Sequence, residues 1–276
     1  MNIVLTALAV IAGLIVLVII AAGIIGLRQP SRGIYRHDTV IFAALRQDDP
    51  ARRFNAEDAL WTSSALFTLI GEGEAYWTDY AILPPDTSAL SWLKTQSGLS
   101  DLFMAEVELT PVPALVPGML RLQHLLGLTR CPTGPLPTML DSIAGRRELL
   151  PTMEAIAQAQ TLAPDAPVAM MNFLEYHALA KGDAADGRAA YHRYGREAFK
   201  AVHAVGGQFL FAGRITAMLV APRSPGWQGD WDDLAAMIYP DPTAIFAMEH
   251  LPAYRRALGE RDAGLKRTRV IATRAY

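Results

Sequence analysis

The side chains best suited to chemistry fall in the carboxy-terminal part of the chain. Along Val168 to Glu175 the strand alternation puts Met170 and Asn172 on one face and Met171 and Phe173 on the other. A buried amide must have partners, so Asn172 either closes a hydrogen-bond network within the sheet or touches a ligand. Tyr191 and Tyr194 recur with Ala198, Val202 and Val205 at three- and four-residue spacing. Both rings therefore point inward, where their hydroxyls need an acceptor, a water or a ligand. Arg214 follows Gly213 in the apolar run QFLFAGRITAMLVAP and must snorkel, pair or bind an anionic group. His250, just ahead of Pro252, is the leading acid or base candidate, with a helix-end cap as the plainer reading. His192 and His203 take the polar outside of their helix. Solvation accounts for them better than metal or haem, because neither an H-E-x-x-H pattern nor a paired acid–histidine spacing occurs, and no metal or other cofactor is expected. Cys131 is the single cysteine, which excludes an internal disulfide and a thiolate cluster. With no base near it in sequence it makes a poor nucleophile.

The elements that must position these residues read strand, helix, strand, strand, helix, strand: Val168 to Glu175, Arg188 to Val205, Gln208 to Val220, Asp233 to Tyr239, Thr243 to Glu260 and Arg267 to Tyr276. Asp186 caps the first helix, Gly206 and Gly207 stop it, Asp241-Pro242 opens the second and Pro252 kinks or splits it. This is the ferredoxin-like split βαβ order, a four-stranded antiparallel sheet with both helices on one face. Its other face is bare and must be covered, most simply by a second such sheet.

Residues 38–110 offer that second sheet. Thr39 to Arg46 reads as a strand, Asn55 as the cap of a helix to Ile70 with Leu60, Ser63, Phe67 and Ile70 on one face, and Ala75 to Leu83 as a strand ended by Pro84 and Pro85. Asp86 then caps a helix carrying Leu90 and Leu93, and Phe103 to Thr110 forms another strand. This is the same plan with one internal strand missing. TVIFAALRQDDPARR also lies over PVAMMNFLEYHALAKGD, which suggests a diverged internal repeat. An unrelated α+β domain, or a homodimer of residues 151–276, would meet the same burial requirement. Between the halves, 111–150 is a proline-rich connector. Its stripe Leu115, Met119, Leu122, Leu125 and Leu126, interrupted by Arg121 and His124, reads first as a packing helix; the other readings are a helix lying on a bilayer or a lid over an apolar pocket.

Of the 276 residues 51% are hydrophobic, and the formal net charge is -2, which excludes a disordered or polyanion-binding chain and leaves no nucleic-acid partner. Residues 1–28 hold an uncharged run, Ile3 to Leu27, long enough at about 1.5 Å per residue to cross a bilayer. The run is too long for a signal peptide and lacks a basic n-region and an A-x-A site. Arg28, Arg32 and Arg36 follow it, which by the positive-inside rule puts the body in the cytoplasm. Ala22 and Gly26 have the small-xxx-small spacing of helix pairing.

The segments VAMMNFLEY, YHRYGREAF, GGQFLFAGRI, MIYPDPTAIFAM and YRRALGERDAGLKRTRVIAT together resemble a bacterial family of uncharacterised dimeric α/β-barrel proteins, distant relatives of antibiotic-biosynthesis type monooxygenases. The resemblance covers about the last 110 residues. It implies an α/β-barrel fold for those residues; its relatives are single-domain soluble dimers, whereas residues 1–110 add an anchor and a second half. The expectation for the whole is an α+β chain whose two ferredoxin-like βαββαβ units pack as a pseudo-dimeric α/β barrel behind an anchor in the bacterial plasma membrane. The resemblance also implies a pocket between sheet and helices at Asn172, Tyr191, Tyr194, Arg214, Tyr239 and His250. One scaffold of this kind hosts many chemistries. The expectation is a non-catalytic module that binds a small apolar ligand or serves assembly. The alternative is a cofactor-independent monooxygenase or isomerase, with Tyr191, Tyr194 and Arg214 orienting substrate and His250 moving the proton.

Overall fold

The computed structural model describes residues 2–49, 54, 58–71, 73–85, 98–129, 149–182 and 184–275. Asn55, Asp86, Leu90, Leu93 and Cys131 lie outside them. Within the described residues the strands are β1 (Thr39–Gln47), β2 (Trp61–Ile70), β3 (Asp79–Leu83), β4 (Leu99–Leu109), β5 (Val168–Tyr176), β6 (Gln208–Val220), β7 (Asp233–Tyr239) and β8 (Leu265–Ala275). They close into one antiparallel barrel in the order β1-β3-β2-β8-β5-β7-β6-β4. Around the ring, β4-β1-β3-β2 is followed by β8-β5-β7-β6. Each run of four thus has its own fourth, first, third and second strand side by side. Two seams join the runs, β2 against β8 with Ser64 opposite Arg274, and β4 against β6 with Glu108 opposite Arg214.

The expected helix up to Ile70 is corrected by the structure, in which Trp61–Ile70 is β2. In WTSSALFTLI the apolar residues fall on both faces, so a helical and a strand period fit equally. Pairing to β3 and β8 decides, with Ser63 lying opposite both Tyr80 and Ala275. This is the internal strand that the sequence reading of the first half lacked. The next strand is also shorter than expected and begins only at Asp79.

One apolar cluster draws on all eight strands, which marks it as the barrel lumen. It includes Phe42, Tyr80, Phe103, Met171, Phe173, Phe211, Leu234, Ala236 and Ile271, with Ala65 packed against it from β2. Phe173 sits at the centre, its ring 5.6 Å from Phe42, 6.0 Å from Phe103, 4.9 Å from Trp227 and 5.6 Å from Trp231, all in edge-on contact. Trp227 and Trp231 come from the β6–β7 connection and plug one end. Arg267 lies 4.1 Å from the Trp231 ring and Arg269 5.1 Å from the Trp227 ring. Asp101, buried at the start of β4, braces the plug by accepting the Arg223 and Ser224 backbone N–H and the Tyr76 hydroxyl. Tyr80 Oη and Trp77 Nε1 are buried with no hydrogen-bond partner among the described residues, a local cost of so apolar a lumen.

Outside the barrel, α3 (Met153–Thr161), α4 (Gly187–Ala204), α5 (Ala244–Ala247) and α6 (Pro252–Gly264) lie with β2, β5, β7 and β8 around a second core. Asp186 caps α4 by accepting the Ala189 N–H at 2.7 Å. Pro252 splits the last helical segment as expected: a 3₁₀ turn, Met248–His250, separates α5 from α6, and the proline takes the first turn of α6. His203 is not on a solvated face; it is buried, with Nδ1 2.8 Å from the Phe199 carbonyl, and burial holds the ring below the usual histidine pKa.

The apolar helix α1 (Asn2–Leu27) is, from Thr6 onward, almost wholly exposed except where it meets α2 (Leu115–Leu125). There Ala22 is buried. A Cβ on Gly118 would collide with the Ala22 carbonyl, and one on Gly26 with the Ala114 carbonyl. The small-residue spacing at Ala22 and Gly26 therefore serves close packing within this chain.

Candidate functional site

The tyrosines that the sequence singles out lie outside the lumen, between the sheet and the helices. On α4 the i, i+3 spacing aims Tyr191 and Tyr194 at the sheet. On α6 the i, i+4, i+7 spacing puts Tyr254, Leu258 and Arg261 on one buried face. The result is a row of tyrosines. Ring centroids are 5.3 Å apart from Tyr176 to Tyr191, 5.3 Å from Tyr191 to Tyr194 and 5.8 Å from Tyr194 to Tyr254. The Tyr194 and Tyr254 hydroxyls are 3.2 Å apart, and Tyr239 donates weakly to Met248 Sδ at 3.5 Å. At the outer end the Tyr176 hydroxyl donates to Asp233 Oδ2 at 2.9 Å, while Arg188 pairs with Asp233 Oδ1 at 3.0 Å.

Burial dominates the electrostatics of the row. It pushes the Tyr176, Tyr191, Tyr239 and Tyr254 phenols far above their ordinary range, so these four hydroxyls stay neutral. Arg261 is the cation among them. It is 8% exposed, its guanidinium carbon is 5.8 Å from the Tyr194 ring centroid, and its ion partner is the neighbouring Asp262 at 3.5 Å. Burial works against its charge, but its surroundings, with the Asp262 carboxylate as ion partner, more than offset it and the guanidinium stays protonated. Its Nε has no hydrogen-bond partner among the described residues. Burial also raises the Glu249 carboxyl, opposed by Arg261, Arg255 and His250. Such a layer can donate hydrogen bonds and stabilise a negative charge. Among the described residues no three His, Cys, Asp or Glu side chains are placed to hold a metal ion.

Of the six residues named from sequence, Tyr191, Tyr194 and Tyr239 share this layer. Asn172 is on the same face of β5, but its amide donates to the Met170 carbonyl at 2.9 Å and the Ala235 carbonyl at 3.2 Å, the structural reading of that residue. His250 ends the 3₁₀ turn, half-buried beside Glu249. Arg214 stands apart. It is exposed on the outer face of β6, in register with Asp233 and Glu108, away from the tyrosines. The sequence reading did not single out Arg261, Glu249, Tyr176 or Tyr254 as site residues. A legible signal existed for Arg261: it falls seven residues after Tyr254 on the stripe that also holds Leu258.

No family model matches the chain, and no curated protein matches it. Among solved structures it is similar to the RPA0582 protein of unknown function from Rhodopseudomonas palustris. The identity is 29%, over 44% of this chain and 92% of that one, with a TM-score of 0.39. The structure of methylated RPA0582 protein gives the same identity and TM-score over 90% of its length. The likeness is to an uncharacterised protein.

Proposed function

We propose that this chain is a single-pass membrane protein whose cytoplasmic body is a non-catalytic module of the dimeric α/β-barrel type, built for assembly or for holding a small apolar ligand. Two ferredoxin-like units, 38–110 and 151–276, are joined by the connector 111–150. The repeated strand order around the ring supports the two-unit reading. The observation that carries the non-catalytic reading is the lumen, where edge-on aromatic rings fill the barrel around Phe173 and leave the polar groups to one another beneath the helices. The exposed α1 and the arginines that follow it, Arg28, Arg32 and Arg36, support an anchor in a bacterial plasma membrane.

The test uses the full chain expressed in a bacterial host. The proposal expects membranes to retain it after carbonate washing, its intact mass to include residues 1–28, and the detergent-extracted protein to carry either no added mass or a lipid-like one. A mass lacking the first residues makes α1 a cleaved signal, and stoichiometric haem absorbance overturns the module. A second reading, the cofactor-independent monooxygenase or isomerase, draws on one feature, the buried Arg261 among neutral phenols. There Arg261 takes the charge-stabilising part expected of Arg214, with Tyr191 and Tyr194 orienting substrate and His250 moving the proton. Substrate-dependent oxygen uptake, abolished by Arg261→Met and untouched by Arg214→Ala, would favour it.

A further inference from the structure

We infer that α2 is a second membrane-contacting element, its apolar face seated in the lipid interface beside the anchor, so that the barrel is held against the bilayer in one orientation. This rests on the anchor reading of α1. Two sides of α2 are already assigned. One packs on α1 through Gly118, with backbone against backbone at Ala22. Another faces the body. Arg121 donates to the Gly206 carbonyl at 2.6 Å and His124 Nδ1 to the Ala204 carbonyl at 3.0 Å, capping the carboxy-terminal end of α4. On the third, Leu115, Met119, Leu122 and Leu126 share one stripe at i, i+4, i+7 and i+11. Leu126 is 62% exposed, and Leu128 just beyond it is 71% exposed.

Lipid is the occupant because of where this stripe lies. Gly118 is opposite Ala22, inside the apolar run, so the first turns of α2 run alongside the last turns of the anchor. Wherever Leu27 and Arg28 meet the headgroups, Leu115 and Val116 meet the same layer. The exposed apolar surfaces of α1 and α2 are continuous there, and exposed Arg28 and Arg36 suit anionic headgroups. Two grips, on α1 and on α4, leave α2 no freedom to turn its stripe elsewhere.

The experiment uses the full chain carrying Cys131→Ser, reconstituted in phosphatidylcholine–phosphatidylglycerol vesicles, with single Leu126→Cys or Leu179→Cys substitutions labelled by an environment-sensitive fluorophore. Leu179 is the control, 80% exposed in the β5–α4 connection at the opposite end of α4, a helix about 27 Å long. Spin-labelled lipid is expected to quench the probe at 126 several-fold more than the probe at 179. Equal quenching in protein that resists carbonate washing overturns the inference and leaves the anchor standing. Cross-linking between copies at 126 without quenching overturns it in favour of a second chain. Release by carbonate removes the anchor itself, and the inference with it.

Discussion

The two faces of β5 were built to different rules. Inward, Met171 and Phe173 join the apolar cluster of the lumen, which is closed by Trp227 and Trp231. Outward, Asn172 and Tyr176 lie under α4 and α6 in a layer of hydroxyls, a guanidinium and carboxylates. The contrast separates two jobs. The lumen carries stability, and the helix-covered layer carries polarity that a ligand, a partner or a reaction could use.

Breaking the lumen should cost most. Phe173→Ala is expected to lose about 3–5 kcal/mol in denaturant unfolding, because the ring fills the centre of a closed barrel. A loss under about 1 kcal/mol would mean the lumen is loosely packed and the contrast false. Next is the plug. Asp101→Ala is expected to lose about 1.5–3 kcal/mol, the worth of hydrogen bonds to a buried carboxylate. Burial alone would raise that carboxyl, but donors from Arg223, Tyr76, Leu102 and Ser224 hold it below the ordinary range. Its contribution is therefore complete above the unfolded-state pKa near 4 and lost as pH falls through the lower folded value, an acid sensitivity the variant should lack.

The tyrosine row should respond more gently. Tyr254→Phe is expected to cost about 1 kcal/mol, and combining it with Tyr194→Phe should cost less than the sum, since the two hydroxyls share one bond. The same row sets a basic limit. Burial raises the folded phenols of Tyr176, Tyr191, Tyr239 and Tyr254, so stability is level with pH until the unfolded phenols ionise near 10, then falls; Tyr254→Phe should make that fall shallower. Arg214→Ala should change stability by no more than about 0.5 kcal/mol, as befits an exposed strand residue.

How much of this was legible follows from where the deciding contacts lie. Asp186, Gly206 and Pro252 act on backbone within a few residues of themselves, so the elements from β5 to β8 could be read locally. Trp61–Ile70 could not, because its apolar residues fall on both faces and its partner at Ala275 is far along the chain. Tyr191 and Tyr194 were legible as inward residues by helical spacing. Arg261 was obscured by the charged residues around it, Glu260 and Asp262. His203 was misjudged because α2, which covers that end of α4, approaches from a distant part of the sequence.

Closure of the ring has a consequence for biosynthesis. β8 is bonded to both β2 and β5, so no ring exists until residue 275 has left the ribosome. If α1 enters a bilayer first, the amino-terminal four strands must wait at the membrane surface with β2 unpaired on one side, open to wrong strand addition. A close-fitting α1–α2 joint formed early would hold them there while the rest of the chain arrives.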